Sequence, residues 1–165
     1  MQYKSLFSFN KVGETQIVSE VNELSDKKAA GVDGIPAKIL KESIDILKLP
    51  LTQYFNFTIE NMNFPEDLKC ANVIPLFKKE DKTDKTNYRP ISILPCISKI
   101  YERIIFKQMS AFVEINLSQY LCGFRKGYNT QHALLRLVDK LNKNLDNKEK
   151  VGILMMDLAK AFDCI

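Results

Sequence analysis

The sequence predicts an α+β chain in which helices outnumber strands, and three observations carry that prediction. Apolar residues recur at helical spacing over several long segments, two short apolar runs (71–77 and 151–156) have strand length, and those runs lie far apart in sequence. With 165 residues, 45% of them hydrophobic, the chain can bury one sizeable core, so one domain is the default. The charged fraction of 27%, together with the aliphatic and Phe content, excludes global disorder.

Ile17, Val21 and Leu24 share one helical face, which predicts a short amphipathic helix over 14–25. Gly31 and Gly34 flank Val32 and Asp33 and predict a turn, and Pro36 suits the first turn of a helix running to about Leu47. Pro50 is expected to start another helix, with Leu51, Phe55 (or Tyr54), Ile59 (or Thr58) and Met62 on one face, ended by Phe64-Pro65. Residues 71–77 read as a buried strand, which Pro75 restricts to an edge or bends. Lys78–Lys85 is almost all charge and predicts a solvated hairpin tip, from which Tyr88–Pro95 returns as extended chain. A long helix is expected from Ser98 to about Ile115, with Ile100, Tyr101, Ile104, Ile105, Met109 and Phe112 facing inward. Cys122–Gly127 reads as a glycine-bounded basic loop. Thr130 is the expected N-cap of a helix through Leu134, Leu135, Val138 and Leu141, before a turn at 146–148 and a final strand from Val151.

A net charge of +4, from 24 basic and 20 acidic side chains, is compatible with a phosphate-bearing partner without being diagnostic of one. Cys70, Cys96, Cys122 and Cys164 form no C-x-x-C pair, so buried free thiols in a reducing compartment are expected rather than a metal knuckle. No apolar run is long enough to span a bilayer, and the N-terminus lacks the apolar core of a signal peptide. An intracellular protein without membrane partners is expected.

The final segment carries the chemistry. The run from Val151 delivers Asp157 to the end of a strand-like stretch, a rigid position from which a carboxylate can hold a divalent cation; the alternative is that Asp157 caps the following helix. Asp163 is rejected as a second ligand, because a residue six positions further along a helix faces another direction. The sole histidine, His132, has no nucleophile or acid beside it in sequence and reads as an ordinary helix residue.

In order, the chain shows KAAGVDGIPAKILK, FPEDLKCANVIPLFKK, NYRPISILPCISKIYERII, LCGFRKGYNT and VGILMMDLAKAFD. This series resembles the N-terminal part of the reverse transcriptase domain of a non-LTR (LINE-type, jockey-like) retrotransposon, from about Phe7 to the last residue. The resemblance implies the fingers and the start of the palm of a right-hand polymerase, with the palm sheet incomplete. Residues 7–150 would be fingers and fingers–palm connection, and 151–165 the first palm strand and the start of the following helix.

The implied activity is RNA-directed DNA synthesis by two-metal nucleotidyl transfer on an RNA template with a DNA primer and dNTP. Asp157 matches the first catalytic, metal-binding aspartate, and the Leu158 carbonyl would face the same Mg²⁺ (or Mn²⁺). Phe162 matches the aromatic beneath the incoming sugar, where a bulky ring rejects a ribose 2′-hydroxyl; an ordinary core Phe is its alternative. Lys78, Lys79 and Arg89 match basic residues that grip the triphosphate, Arg89 being preferred, whereas Lys82 and Lys85 read as solvated turn residues. Arg125 and Lys126 are candidate nucleic-acid contacts, with an architectural loop, in which Arg125 bonds carbonyls internally, as the equal alternative. Lys27, Lys28, Gly31 and Gly34 would form a fingers turn near the template, again with a structural role as the alternative.

The family's second acidic cluster, Tyr-x-Asp-Asp, does not occur in the sequence, nor does any Asp-Asp pair. The downstream palm and thumb of the parent polyprotein are therefore expected to be missing partners. The chain alone is expected to be inactive, and its final strand to be poorly covered. The competing expectation is a relic or domesticated fragment acting as a nucleic-acid-binding or inert protein. By resemblance, the location is cytoplasm and nucleus.

Overall fold

The chain, seen in a computed structural model, is described for residues 7–27 and 29–157 and divides into two units, Met1–Ile115 and Asn116–Ile165. In the first unit, α1 (Glu14–Asn22) forms where the apolar spacing predicts it and buries Ile17 and Val21. Helix α2 (Ala37–Glu42) follows Pro36, whose missing N–H costs nothing at a helix start.

The next boundary differs from expectation. The break falls at Ser43 (φ −99°, ψ 2°), and α3 (Ile44–Glu60) then runs without interruption through Pro50. An interior proline ordinarily costs about 3 kcal/mol. Here Ile44 lies before it and Leu51, Phe55 and Thr58 after it, all buried, so packing on both sides holds the two halves in one helix. The Thr52 hydroxyl also donates to the Lys48 carbonyl at 2.7 Å in the turn containing the proline. Met62, expected on the inner face, is 96% exposed and has φ 50°, because the helix has already ended.

A single turn, α4 (Glu66–Lys69), leads into β1 (Asn72–Phe77), which pairs antiparallel with β2 (Tyr88–Ile93). The ribbon places Pro75 opposite Pro90. Both strands are largely exposed, which corrects the buried strand expected at 71–77. Two strands have two open edges, which is where prolines are tolerated. Helix α5 (Cys96–Glu114) follows Pro95 and buries Ile100, Tyr101 and Ile104; Met109 is exposed, not inward.

The core of this unit is helical: α1, α2, α3 and α5 meet around Ile17, Val21, Leu40, Phe55, Ile100 and Ile104. The Phe55 and Tyr101 rings lie 4.8 Å apart, and the Thr58 hydroxyl, which donates to the Phe55 carbonyl, also shares a 2.8 Å hydrogen bond with the Tyr101 hydroxyl. That bond lets the phenol be buried without an orphaned polar group. On the rim, Glu20 of α1 is only 2% exposed; it meets Arg103 at 3.4 Å and Lys107 at 2.5 Å, both on α5.

In the second unit, α6 (Thr130–Asp146) is capped by Asn129 rather than Thr130. The Asn129 side chain accepts from the His132 N–H, and His132 Nδ1 accepts from the Asn129 N–H, a reciprocal box that fixes the cap one residue early. Val151–Met156, expected as a short buried strand, pairs with no strand among the described residues and is exposed. The architecture of the described residues is thus mixed: helices with one two-stranded sheet. Among the described residues, no helix is long and apolar enough to cross a membrane.

Candidate functional site

The hairpin is built from chemistry in its connecting segment. Asp81 Oδ1 accepts from the Thr83 N–H and hydroxyl, and Asp84 Oδ1 from the Thr86 N–H and hydroxyl, all at 2.8 Å. The Asp84 turn starts the single 3₁₀ turn Lys85–Asn87. The Asn87 amide donates to the Asp81 carbonyl at 2.9 Å, and the Tyr88 hydroxyl to the Lys82 carbonyl at 2.9 Å. Lys82 also stands 5.6 Å from the centre of the Phe77 ring. The charged tip is exposed, as expected, and is ordered by its own hydrogen bonds.

These bonds hold the Asp81 and Asp84 carboxyls below the usual carboxylate range, with the threonine N–H groups as the main cause. Because the folded values are depressed, the stabilisation is present above the ordinary Asp value of about 4 and is lost as pH falls through the folded values. In an NMR pH titration, the Thr83 and Thr86 amides should shift with midpoints below that value. Midpoints at or above it would contradict this turn geometry.

The register then decides which basic side chains meet. Leu76 pairs with Arg89, and the Lys78 N–H donates to the Asn87 carbonyl at 2.8 Å, extending the ladder one step toward the tip. Side chains alternate along a strand, so Lys78 and Arg89 project from the same face as diagonal neighbours across the ribbon. Lys79 lies in the bend beyond the strand and meets Glu80 at 3.4 Å, both exposed. The same face as Arg89 carries Ile74, Leu76 and Ile91, all at least 43% exposed.

Of the remaining candidates, Lys27, Gly31 and Gly34 lie in the first unit, with Lys27 exposed, and the other described ones belong to the second. Arg125 donates to the Ser118 carbonyl at 3.2 Å and lies 4.5 Å from the centre of the Tyr128 ring, which supports the architectural alternative for this residue. Lys126 beside it is exposed. Phe124 (φ 57°) and Gly127 (φ 82°) give the loop its shape. Asp157 is exposed. Leu158 and Phe162, the candidate carbonyl ligand and sugar gate, lie outside the described residues, as do Asp163, Cys164 and Lys28. Among the described residues, no three His, Cys, Asp or Glu side chains group as metal ligands.

Buried free thiols are realised only in part. Cys96 is buried, and burial pushes its thiol up; Cys70 is exposed and Cys122 half-buried. Two structural roles escaped the sequence. His132 completes the α6 cap, for which Asn-x-x-His was the available signal. Gly31 packs against the backbone of Pro95, for which sequence offered none. A cavity of about 480 Å³ in the first unit is walled by Phe7, Phe9, Phe64, Tyr101 and Ile105, and the described residues of its lining carry no charged side chain, unlike a triphosphate site.

Residues 77–165 match the family described as reverse transcriptase (RNA-dependent DNA polymerase). The chain is 32% identical over 152 residues to a probable RNA-directed DNA polymerase from transposon X-element of Drosophila melanogaster, covering 90% of this chain and 17% of that protein. It is 30% identical over 146 residues to the RNA-directed DNA polymerase from mobile element jockey of Drosophila funebris, covering 87% and 16%. A Pol polyprotein from type-1 retrotransposable element R1 of Bradysia coprophila is 27% identical over 154 residues, with 87% and 15% covered. The chain therefore spans about a sixth of the length of these relatives.

Proposed function

The chain belongs to the reverse transcriptase family, among the polymerases of non-LTR retrotransposons, and from that premise we propose that it supplies the triphosphate-gripping hairpin and the first catalytic carboxylate of an RNA-directed DNA polymerase. The observation that carries this is the hairpin register, which puts Lys78 and Arg89 on one exposed face as diagonal neighbours. Arg89 offers a planar fork to phosphate oxygens and Lys78 a point charge. Their strands keep both cations on one side of the ribbon, so less freedom is lost when a triphosphate arrives. Lys79, held toward Glu80, plays the lesser part.

On this reading residues 7–150 are fingers and fingers–palm connection, and 151–165 open the palm of a right-hand polymerase. Asp157 and the Leu158 carbonyl would hold Mg²⁺ or Mn²⁺, and Phe162 would exclude a ribose from the dNTP site. A divalent ion held at Asp157 supplies Lewis-acid activation of the primer hydroxyl and neutralises phosphate charge. The substrates are a primed RNA template and dNTP, handled in cytoplasm and nucleus. One carboxylate does not organise a pair of ions, so the 165 residues alone are inactive and need a palm carrying the second acidic motif.

The hairpin assignment is tested by titrating a fluorescent dNTP into the purified chain. Arg89→Ala should weaken binding about tenfold or more, the scale of a lost charge-assisted hydrogen bond. Lys79→Ala should weaken it much less. Equal affinity for the Arg89→Ala chain would refute the assignment.

A further inference from the structure

We propose that the polar face of α6 and the turn at Gln119-Tyr120 form a binding cleft for single-stranded RNA. The inference rests on the assignment of the chain to a polymerase that handles an RNA strand, and it adds a contact surface outside the hairpin and Asp157. Arg136, Lys140 and Lys143 fall at i, i+4 and i+7, one stripe along the helix. Leu134, Val138, Leu141 and Leu145 fall on the opposite side, and Arg136, Lys140 and Lys143 are all exposed. The stripe, Asp139, Gln119 and Tyr120 line a cleft of about 370 Å³.

Three features suit a nucleic-acid strand rather than a merely solvated helix face. First, the cleft is braced. Arg136 donates to the Gln119 carbonyl, and its guanidinium lies 5.9 Å from the centre of the Tyr128 ring. Arg125 fixes the adjacent Ser118 carbonyl, so the wall bearing Tyr120 is tied at two consecutive residues. Second, Lys140 and Lys143 form no ion pair among the described residues, leaving two ammonium groups for phosphates. Third, the Tyr120 ring is 75% exposed beside those cations. An exposed aromatic next to a line of positive charge is the arrangement that stacks a base while the backbone is neutralised. Asp139 opposes a further phosphate, and its carboxylate can accept from a ribose 2′-hydroxyl, the donor that separates RNA from DNA.

The test is fluorescence anisotropy of a labelled, unstructured RNA oligomer with the full 165-residue chain across a salt series. Lys140→Ala/Lys143→Ala should reduce the slope of log affinity against log salt by about 1.4, two phosphate contacts on a single strand. Tyr120→Ala should weaken binding about tenfold and leave the slope unchanged. A deoxy oligomer of the same sequence should bind more weakly. The substituted side chains are exposed, and circular dichroism verifies that α6 persists. An unchanged slope in the double variant, or a wild-type chain that does not bind RNA, overturns the proposal; equal binding of the deoxy oligomer overturns the role of Asp139. The cleft and the hairpin fail independently, because each is read with its own probe, RNA or dNTP.

Discussion

Gly31→Ala should destabilise the first unit by about 3 kcal/mol or more, the upper end of what overpacking costs. A Cβ at this position would stand 2.3 Å from the Pro95 nitrogen, 2.5 Å from its Cα and 2.7 Å from the Leu94 carbonyl carbon. All three are backbone atoms, so no rotamer change relieves the clash. Pro95 joins the end of β2 to the start of α5, and α5 carries the buried Ile100, Tyr101 and Ile104. The glycine thus fixes the loop after α1 against the root of the hairpin, and its substitution should also weaken dNTP binding. Gly34→Ala is the control. Gly34 has φ +66° with nothing within 4 Å of a built Cβ, so only backbone strain of about 1–2 kcal/mol is expected. Urea denaturation compares the two, and equal losses would mean that the close approach at Gly31 is not present in solution.

Removing both cations from Glu20 should be the next largest loss. Arg103→Ala/Lys107→Ala leaves a carboxylate that is 2% exposed without either of these partners, and an unpaired buried charge destabilises the fold, by less than a fully buried pair would because both cations are themselves partly open to solvent. Each single variant should cost much less, because the other cation remains. Adding Glu20→Met to the double variant should recover most of the loss, since an apolar side chain of similar volume needs no counter-ion. The hydrogen bond to Glu20 raises the Lys107 pKa. A raised folded value means that this stabilisation is complete below the unfolded Lys value of about 10.4 and is lost as pH rises through the folded value. The wild-type chain should therefore lose stability at strongly alkaline pH more steeply than the Lys107→Ala chain. A double variant as stable as the wild type would refute the burial of Glu20.

Elements governed by local pattern were legible in the sequence. Helices α1, α5 and α6 follow apolar periodicity, and the charged run from Lys78 does sit at a hairpin tip. What sequence misplaced depended on contacts distant along the chain. Pro50 looked like a helix start, but the buried residues on both sides of it, Ile44 and Leu51, keep one helix across it. Val73, Ile74 and Leu76 looked like a buried strand, yet a two-stranded ribbon has no second layer to bury them. Gly31 meets Pro95 across more than sixty residues, a contact that no local pattern announces. At the candidate site, the residue types at Lys78 and Arg89 were evident, whereas their shared face required the register and the pairing of Lys79 with Glu80 required the bend that follows β1.

The central claim, that Asp157 and the hairpin are parts of a polymerase site, is tested most directly by primer extension. The 165 residues would replace the matched segment of the Drosophila funebris jockey polymerase, which supplies the remainder of that enzyme. With a primed RNA template, dNTP and Mg²⁺, the chimera should extend the primer, and Asp157→Ala should reduce the rate by about 10³-fold or more, the scale of removing a ligand that holds a catalytic ion. Extension by the Asp157→Ala chimera at the rate of the unsubstituted one would contradict the claim.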